Sequence, residues 1–300
     1  IFGTFKYSFY ICISKNDFTI RRTHIIIINA MKLLSILLLL FCLNSTISAQ
    51  KQKDLVTITG KVSDYNGNPI DNCSVMFQNS NFDVLFETKT DEKGKYQINI
   101  PKGKYSNIGA INMDTYPHTM KVGTNNENLR LEFWGWNFIA DRDTTLNIQY
   151  NRMEAYGMHV FQIPGAVPAY QIYVRPMSLT RFLTNKGIQN AQHKEDLSNI
   201  TQKSSADTAK CDNIAPTIDK VGIKVWIDGE SVDVLMKQQI KEYYKETEYG
   251  IAYYITVSEP KKTTTLPYKI FKIELTDLEN GDRGEAIYYL ENTNYCLLYT

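Results

Sequence analysis

The sequence has almost no net charge and few histidines. Its 33 basic and 32 acidic side chains leave a formal charge of +1. Non-specific nucleic-acid binding needs a broad positive field, which this balance does not supply. No two of the four histidines have the i, i+4 spacing that places zinc ligands on one helix face: His24, His118, His159 and His193. Neither nucleic acid nor a zinc ion is therefore expected as a partner.

Motifs of common reaction centres are also missing. The chain has no G-x-S-x-G nucleophile elbow, no glycine-rich phosphate loop and no C-x-x-C pair. The closest acidic sets, Asp141 with Asp143 and Glu279 with Asp282, lie at predicted turns, where Asp favours local hydrogen bonds over catalysis. We therefore expect no enzymatic activity, no catalytic residues and no cofactor.

One short string resembles the start of a calcium loop. Asp64, Asn66 and Asn68 follow the D-x-N-x-N spacing, but Pro69 stands where the loop needs glycine, and no glutamate closes it at position twelve. These departures exclude an EF-hand. A weakly held ion at this turn stays open as an alternative, while no metal site is predicted.

Cysteine usage depends on where the mature protein begins. Cys12 and Cys42 lie in or before a segment expected to be removed, which leaves Cys73, Cys211 and Cys296. Three cysteines cannot all pair within the chain. We expect small buried side chains, with a Cys211 to Cys296 disulfide as the alternative.

An export signal begins at Met31. Lys32, an apolar run from Leu33 to Leu43 and a polar end closing on Ala49 form a secretory signal peptide, 31–49, and the run is too short for a retained transmembrane helix. Phe41 is too bulky for a lipobox, so no lipid anchor at Cys42 is expected. Residues 1–30 are interpreted as translated upstream sequence, with a second apolar element pairing with the signal as the alternative. The predicted location is the periplasm or cell surface.

Short alternating runs separated by glycine turns follow the signal. Val56, Ile58 and Val62 alternate before the turn at Asn66-Gly67, and similar runs continue through Ile111. The 20 tyrosines favour strands as well. No stretch has convincing helical periodicity, so the pattern predicts an all-β sandwich.

The same residues carry a family resemblance. The strings GKVSDYNGNPIDNCSVMF and TDEKGKYQINIPKGKY fit a pattern of turn and strand residues. The matching positions are Gly60, Val62, Asp64, Gly67, Pro69, Ile70, Thr90, Asp91, Gly94, Tyr96, Pro101, Gly103 and Tyr105. Residues 55–122 therefore resemble the carboxypeptidase regulatory-like domain family. The resemblance implies a transthyretin-like seven-stranded sandwich, common at the starts of exported proteins of Bacteroidetes-type bacteria, and implies no peptidase activity.

The rest of the chain predicts a second β-sandwich. Alternation at 129–133 and 146–150 is interpreted as a hairpin closing the first domain, 55–157, with the boundary near Gly157. The second domain, 158–300, is predicted to be immunoglobulin-like, with strands at 171–174 and in five later runs, and a polar loop at about 185–213. Residues 232–241 could instead form a short helix.

The tryptophan pair in Phe133-Trp134-Gly135-Trp136 is the most distinctive local feature. Alternate residues of a strand share a face, so Trp134 and Trp136 should lie together, opposite Phe133. Packing in a core or between domains is the ordinary role of such a pair. An outward pair would instead form a platform for sugar rings or a protein partner. Trp134 and Trp136 are thus the candidate ligand contacts.

These features favour a non-catalytic exported protein that uses β-sandwich domains to bind an envelope protein or a glycan. An accessory subunit of an outer-membrane transport or adhesion assembly is the alternative. A small envelope hydrolase with an unrecognised site is the third hypothesis.

Overall fold

The computed structural model describes residues 54–119, 124–163, 167–184, 214–243, 249–262 and 264–292. The predicted signal peptide, the polar loop at 185–213, Cys42, Cys211 and Cys296 lie outside these residues. From Val56 onward the described residues form one compact unit. No helix in this described part is long and apolar enough to cross a membrane.

The described chain is almost entirely β structure, as the alternating pattern predicted. Its strands are β1 (Leu55–Ser63), β2 (Ser74–Gln78), β3 (Val84–Lys89), β4 (Lys95–Pro101), β5 (Gly103–Ile111), β6 (Phe133–Ala140), β7 (Thr144–Thr145), β8 (Ile148–Gln149), β9 (Met153–Phe161), β10 (Ala169–Ser178), β11 (Val221–Ile227), β12 (Glu230–Val232), β13 (Val234–Tyr243), β14 (Tyr249–Ser258), β15 (Tyr268–Asp277) and β16 (Arg283–Glu291). The helical elements are a 3₁₀ turn at Asn126–Asn128 and α1 (Leu179–Thr184).

Three sheets organise these strands. The central sheet has eight, in the order β12-β11-β15-β16-β6-β5-β2-β3. A second sheet has the order β13-β14-β10-β9, and a third joins β4, β1, β7 and β8. In the central sheet β16 pairs with β6 in parallel, with Ala286 opposite Trp134 and Tyr288 opposite Trp136. This pairing joins the two halves of the chain.

Two hydrophobic cores lie on opposite faces of β16. Ile287 and Tyr289 belong to the first core, which is formed mainly by residues 56–150. Ala286 and Tyr288 belong to the second core, which is formed mainly by residues 153–288. Because side chains of a strand alternate between faces, one strand can supply both cores. The central sheet is therefore the wall between them.

The hairpin predicted for 129–150 is wrong. β6 lies in the central sheet between β5 and β16, while β7 and β8 pair in parallel with β1. Leu129 and Leu131, which suggested a strand, instead pack against Leu179 of α1. Alternation identified apolar positions here but could not tell which element they would contact.

The domain boundary predicted near Gly157 falls inside a continuous strand. Gly157 lies within β9, although its φ of 63° marks a local irregularity. The division into two domains stays a prediction, but the two stretches share one sheet. Residues 232–241 are strand and not helix, and Tyr249-Gly250, expected as a turn, begins β14.

The short helix α1 was not predicted from the sequence. Its position is explained by contacts of polar side chains. Asp282 accepts hydrogen bonds from the Ser178 hydroxyl at 2.6 Å and the Thr180 backbone N–H at 2.8 Å. Arg181 forms an ion pair with Asp277, with Nε and Oδ2 2.6 Å apart. A six-residue helix gains little from propensity alone, so these tertiary contacts hold it.

Candidate functional site

The two predicted tryptophans lie on the same face of β6. The rings of Trp134 and Trp136 are stacked, with centroids 5.5 Å apart and planes 23° apart. Phe133 faces the other way, into the first core. Trp134 lies over Gly109 of β5, where an added Cβ would come within 3.7 Å of the indole. That distance is an ordinary van der Waals contact, so the indole packs directly on the backbone of Gly109.

Two more aromatic rings complete the cluster. Tyr156 of β9 contacts both indoles edge-on, at centroid distances of 5.6 Å and 5.5 Å. Phe82, in the turn between β2 and β3, also contacts both edge-on, at 5.8 Å and 6.4 Å. We call Phe82, Trp134, Trp136 and Tyr156 the aromatic cluster. Trp134 is buried and Trp136 half-buried, whereas Phe82 is 44% exposed.

A pair of carboxyl groups fixes the orientation of Trp134. Its Nε1 donates to Glu132 at 3.0 Å and to Glu154 at 2.9 Å. Burial raises the pKa of Glu132. Burial, and then the adjacent Glu132, raise the pKa of Glu154 well above its usual range. A buried and a half-buried carboxyl in contact favour sharing a proton, because two adjacent negative charges in this setting repel each other.

A row of polar side chains crosses the sheet next to the tryptophans. Gln78 of β2 is opposite Asn107 of β5, which is opposite Trp136 of β6. Gln78 and Asn107 are 6% and 2% exposed. Gln78 Oε1, Asn107 Oδ1 and Trp136 Nε1 are buried without a hydrogen-bond partner in the described part of the chain. We call these three residues the polar row.

Three of the open clefts formed by the described residues lie elsewhere on the surface. Their volumes are about 530, 380 and 550 Å³, and neither Trp134 nor Trp136 lines any of the three. The 380 Å³ cleft contains the third tryptophan, Trp226, with Lys272 Nζ 5.6 Å from its ring centroid. Lys272 is already paired with buried Glu285, with Nζ and Oε2 2.5 Å apart. This cleft therefore offers the rings of Trp226 and Tyr289 and no free charge from that pair.

The other candidate residues serve local structure. Asp141 pairs with Arg142, and Glu279 pairs with Arg181. Asp64 Oδ1 accepts from the backbone N–H groups of Asn66 and Asn68, both at 2.9 Å, so the calcium-like string closes its own turn. Burial would raise the pKa of Asp64, but these hydrogen bonds outweigh it and lower the pKa.

Histidines and cysteine in the described residues are likewise scattered. Burial lowers the pKa of His118, which contacts Tyr116, whereas exposed His159 has Nδ1 3.3 Å from the Tyr288 hydroxyl. Cys73 is a buried free thiol. Among the described residues no group of three or more His, Cys, Asp or Glu side chains is placed to hold a metal ion.

Comparison with known proteins identifies one domain. Residues 57–116 match the carboxypeptidase regulatory-like domain, which confirms the resemblance found in the turn and strand residues. No curated protein matches the chain.

Solved structures give only distant similarities. A putative carbohydrate binding protein from Bacteroides uniformis is 8% identical, covering 79% of this chain and 99% of that one, with a TM-score of 0.24. A DUF3823 family protein from Parabacteroides merdae is 7% identical, covering 79% and 98%, with a TM-score of 0.24. The major pilin subunit of Bacillus cereus is 10% identical, covering 79% and 68%, with a TM-score of 0.23. Scores this low support no transfer of ligand or partner.

Sequence reasoning found the tryptophans but missed their surroundings. Phe82 and Tyr156 are remote in sequence, and only the strand pairings bring them to β6. Glu132 flanks the tryptophan motif, yet its partner Glu154 lies on another strand. One signal was available for Phe82: the string from Asn79 to Asp83 repeats the spacing of the turns at Asp64 and Asp91.

Proposed function

We propose that this chain is a non-catalytic exported binding protein of the bacterial envelope that recognises a glycan at the aromatic cluster. The observation that carries the proposal is the stacked pair of Trp134 and Trp136 beside the polar row. Indole rings bind the apolar C–H face of a sugar, while carboxamide and indole N–H groups exchange hydrogen bonds with its hydroxyls. The combination favours a glycan over an apolar ligand.

The arrangement of the carboxyl pair supports a binding role over hydrolysis. Glu154 is 4% exposed, and both it and Glu132 are occupied with the Trp134 indole. A general acid must come within hydrogen-bond distance of its substrate. Since Glu154 is buried and both carboxyls accept from the indole N–H, the pair acts on the position of Trp134. The small-hydrolase alternative therefore has less support.

One surface favours the alternative of an accessory subunit. In the described sheets β13 pairs with β14 on one side only, and its side chains Leu235, Met236 and Tyr243 are exposed. An exposed edge strand can pair with a strand of another protein. Under this alternative the chain co-purifies with an envelope complex, and Met236→Lys releases it. A monomer in gently solubilised envelopes would argue against a stable complex.

The cellular location and the two specific sandwich folds are part of the same proposal. The signal peptide at 31–49 supports export to the periplasm or cell surface. A transthyretin-like sandwich for 55–157 is supported by the domain match at 57–116. An immunoglobulin-like sandwich for 158–300 is supported by the packing of β11 and β15 against the second sheet around one core.

A glycan array followed by calorimetry tests the function. The full chain should bind at least one neutral or acidic oligosaccharide, and Trp136→Ala should weaken that binding by about tenfold or more because stacking area is lost. Trp226→Ala is the matched control, since Trp226 lines a different cleft. Thermal unfolding of both variants checks that they fold. Silence across the array, or equal losses in the two variants, would overturn the proposal.

A further inference from the structure

Three turns in the described part of the chain share one hydrogen-bonding pattern. In each, an Asp or Asn side-chain oxygen accepts from the backbone N–H groups two and four residues later. The turns run from Asp64 to Asn68, from Asn79 to Asp83 and from Asp91 to Lys95. Their fourth residues all have positive φ, at 85°, 64° and 71°: Gly67, Phe82 and Gly94. The pattern therefore calls for glycine at the position that Phe82 occupies.

Phe82 holds an unfavourable backbone conformation. Left-handed φ brings Cβ against the backbone, and bulky side chains rarely adopt it. Such strain persists where other contacts oppose its relief, and it concentrates at ligand clamps and switches. The opposing contacts here are the edge-to-face contacts of the Phe82 ring with Trp134 and Trp136.

The ring of Phe82 lies on the same face of the central sheet as the polar row. Phe82 follows β2, yet its ring contacts tryptophans on β6, and β5 with Asn107 runs between those two strands. Neighbouring strands are about 4.8 Å apart, so the Phe82 side chain must extend past β2 to contact the Trp134 indole, which lies over Gly109 of β5 on the face that carries Gln78 and Asn107. The carboxamide oxygens therefore share this face with a strained and half-exposed ring.

Three unpaired polar atoms in one row need an explanation. A buried donor or acceptor without a partner is unfavourable, and nearly all such groups in native proteins are hydrogen-bonded. Gln78 Oε1 and Asn107 Oδ1 can accept, and Trp136 Nε1 can donate. Hydroxyl groups both donate and accept, so neighbouring hydroxyls of one ligand suit this mixed set. The row carries no formal charge, which favours a neutral ligand.

We propose that Phe82 is a displaceable lid over a subsite for a neutral sugar ring. When the lid moves aside, sugar hydroxyls bind Gln78, Asn107 and Trp136, and the C–H face of the sugar packs against the tryptophans. Release of the left-handed φ favours the open turn, while the aromatic contacts favour the closed one. The subsite rests on the glycan-binding function proposed above. It specifies the ligand class, a neutral sugar, and the side chain that controls access, Phe82.

A series of variants tests the lid with neutral glucose, galactose and mannose oligosaccharides, and with oligogalacturonate as the acidic comparison. Phe82→Gly removes the ring and suits the turn, so the apparent Kd for the best neutral oligosaccharide should fall by about threefold or more. Gln78→Met and Asn107→Leu remove the acceptors and should weaken binding by about threefold to tenfold. Leu85→Ala, at an exposed neighbouring position, should leave the affinity unchanged.

The outcomes separate this inference from the general function. Unchanged or weaker binding in Phe82→Gly overturns the lid, and full affinity in both acceptor variants overturns the polar subsite. Binding of oligogalacturonate alone overturns the neutral ligand class while leaving glycan binding intact. Because Phe82→Gly relieves a strained turn, we expect the variant to fold, and its thermal unfolding checks this.

Discussion

Tyr288 and Tyr289 are neighbours on β16, yet their side chains enter different hydrophobic cores. Tyr289 packs with Phe138 at a centroid distance of 5.1 Å, while Tyr288 accepts a hydrogen bond from Asn137 at 2.8 Å on the opposite face. The two cores therefore have a common wall. Disturbing β16 should disturb both.

One unfolding transition is expected for both cores. Ile287→Ala acts on the first core and Phe271→Ala on the second, and each should lower the free energy of unfolding by about 2–5 kcal/mol. Because the cores share the central sheet, both variants should shift the same transition, whether followed by tryptophan fluorescence or by circular dichroism. Leu278→Ala, at a 63% exposed position, is the control. Two separated transitions would instead support independent domains divided near Gly157.

Gly284 lies where β16 passes close to β9. A Cβ at Gly284 would be 1.9 Å from the carbonyl oxygen of Met153, and backbone cannot move aside as a side chain can. Gly284→Ala should therefore lower the free energy of unfolding by about 3 kcal/mol in urea titrations. Gly103→Ala is the matched control, because nothing lies within 4 Å of its added Cβ. Its stability should be unchanged or higher by less than about 1 kcal/mol. Equal losses of stability in Gly284→Ala and Gly103→Ala would show that the backbones of β16 and β9 do not lie this close together.

Much of the fold follows from residue patterns, and the domain 57–116 shows why. Asn66-Gly67 and the turn ending at Gly94 place positive φ where glycine stands, so strand ends could be located from local rules. The pairing of β6 with β16 joins residues about 150 apart in sequence, and no local pattern specifies it. The same holds for the site. Alternation placed Trp134 and Trp136 together, but Phe82 and Tyr156 reach them only through tertiary structure.

Strain at Phe82 can be measured by comparing two truncations. Phe82→Ala and Phe82→Gly both remove the ring, but only glycine adopts a φ of 64° without cost. The glycine variant should therefore be more stable than the alanine variant by about 1 kcal/mol, the reverse of the usual order in unstrained positions. Gly67→Ala is the opposite change, from glycine to alanine, in a turn with the same hydrogen-bonding pattern. With nothing within 4 Å of its Cβ, it should lose about 1 kcal/mol from φ alone. The comparison is made by chemical denaturation, and an alanine variant as stable as the glycine variant would show that the turn is unstrained.

Glu154 should make the stability of the protein depend on pH. Its pKa is raised in the folded state by burial and by Glu132, while Arg175 opposes the shift. A carboxyl with a raised folded pKa contributes most stability below its unfolded pKa of about 4.3, and this contribution is lost as pH rises through the folded pKa. The free energy of unfolding should thus fall as pH rises above about 4.3, by at most about 1.4 kcal/mol per pH unit for each proton released.

Glu154→Gln should remove that dependence. A glutamine stays neutral, and its carbonyl can still accept from Trp134 Nε1. The free energy of unfolding of the variant should equal that of the parent protein, or be slightly lower, near pH 4.5. Near pH 8 it should be higher than that of the parent, as measured by urea unfolding at each pH. Glu92→Gln, in an exposed turn, should follow the parent curve throughout. Parallel curves for Glu154→Gln and the parent would mean that the buried pair releases no proton in this range, and that the orientation of Trp134 does not depend on a shared proton.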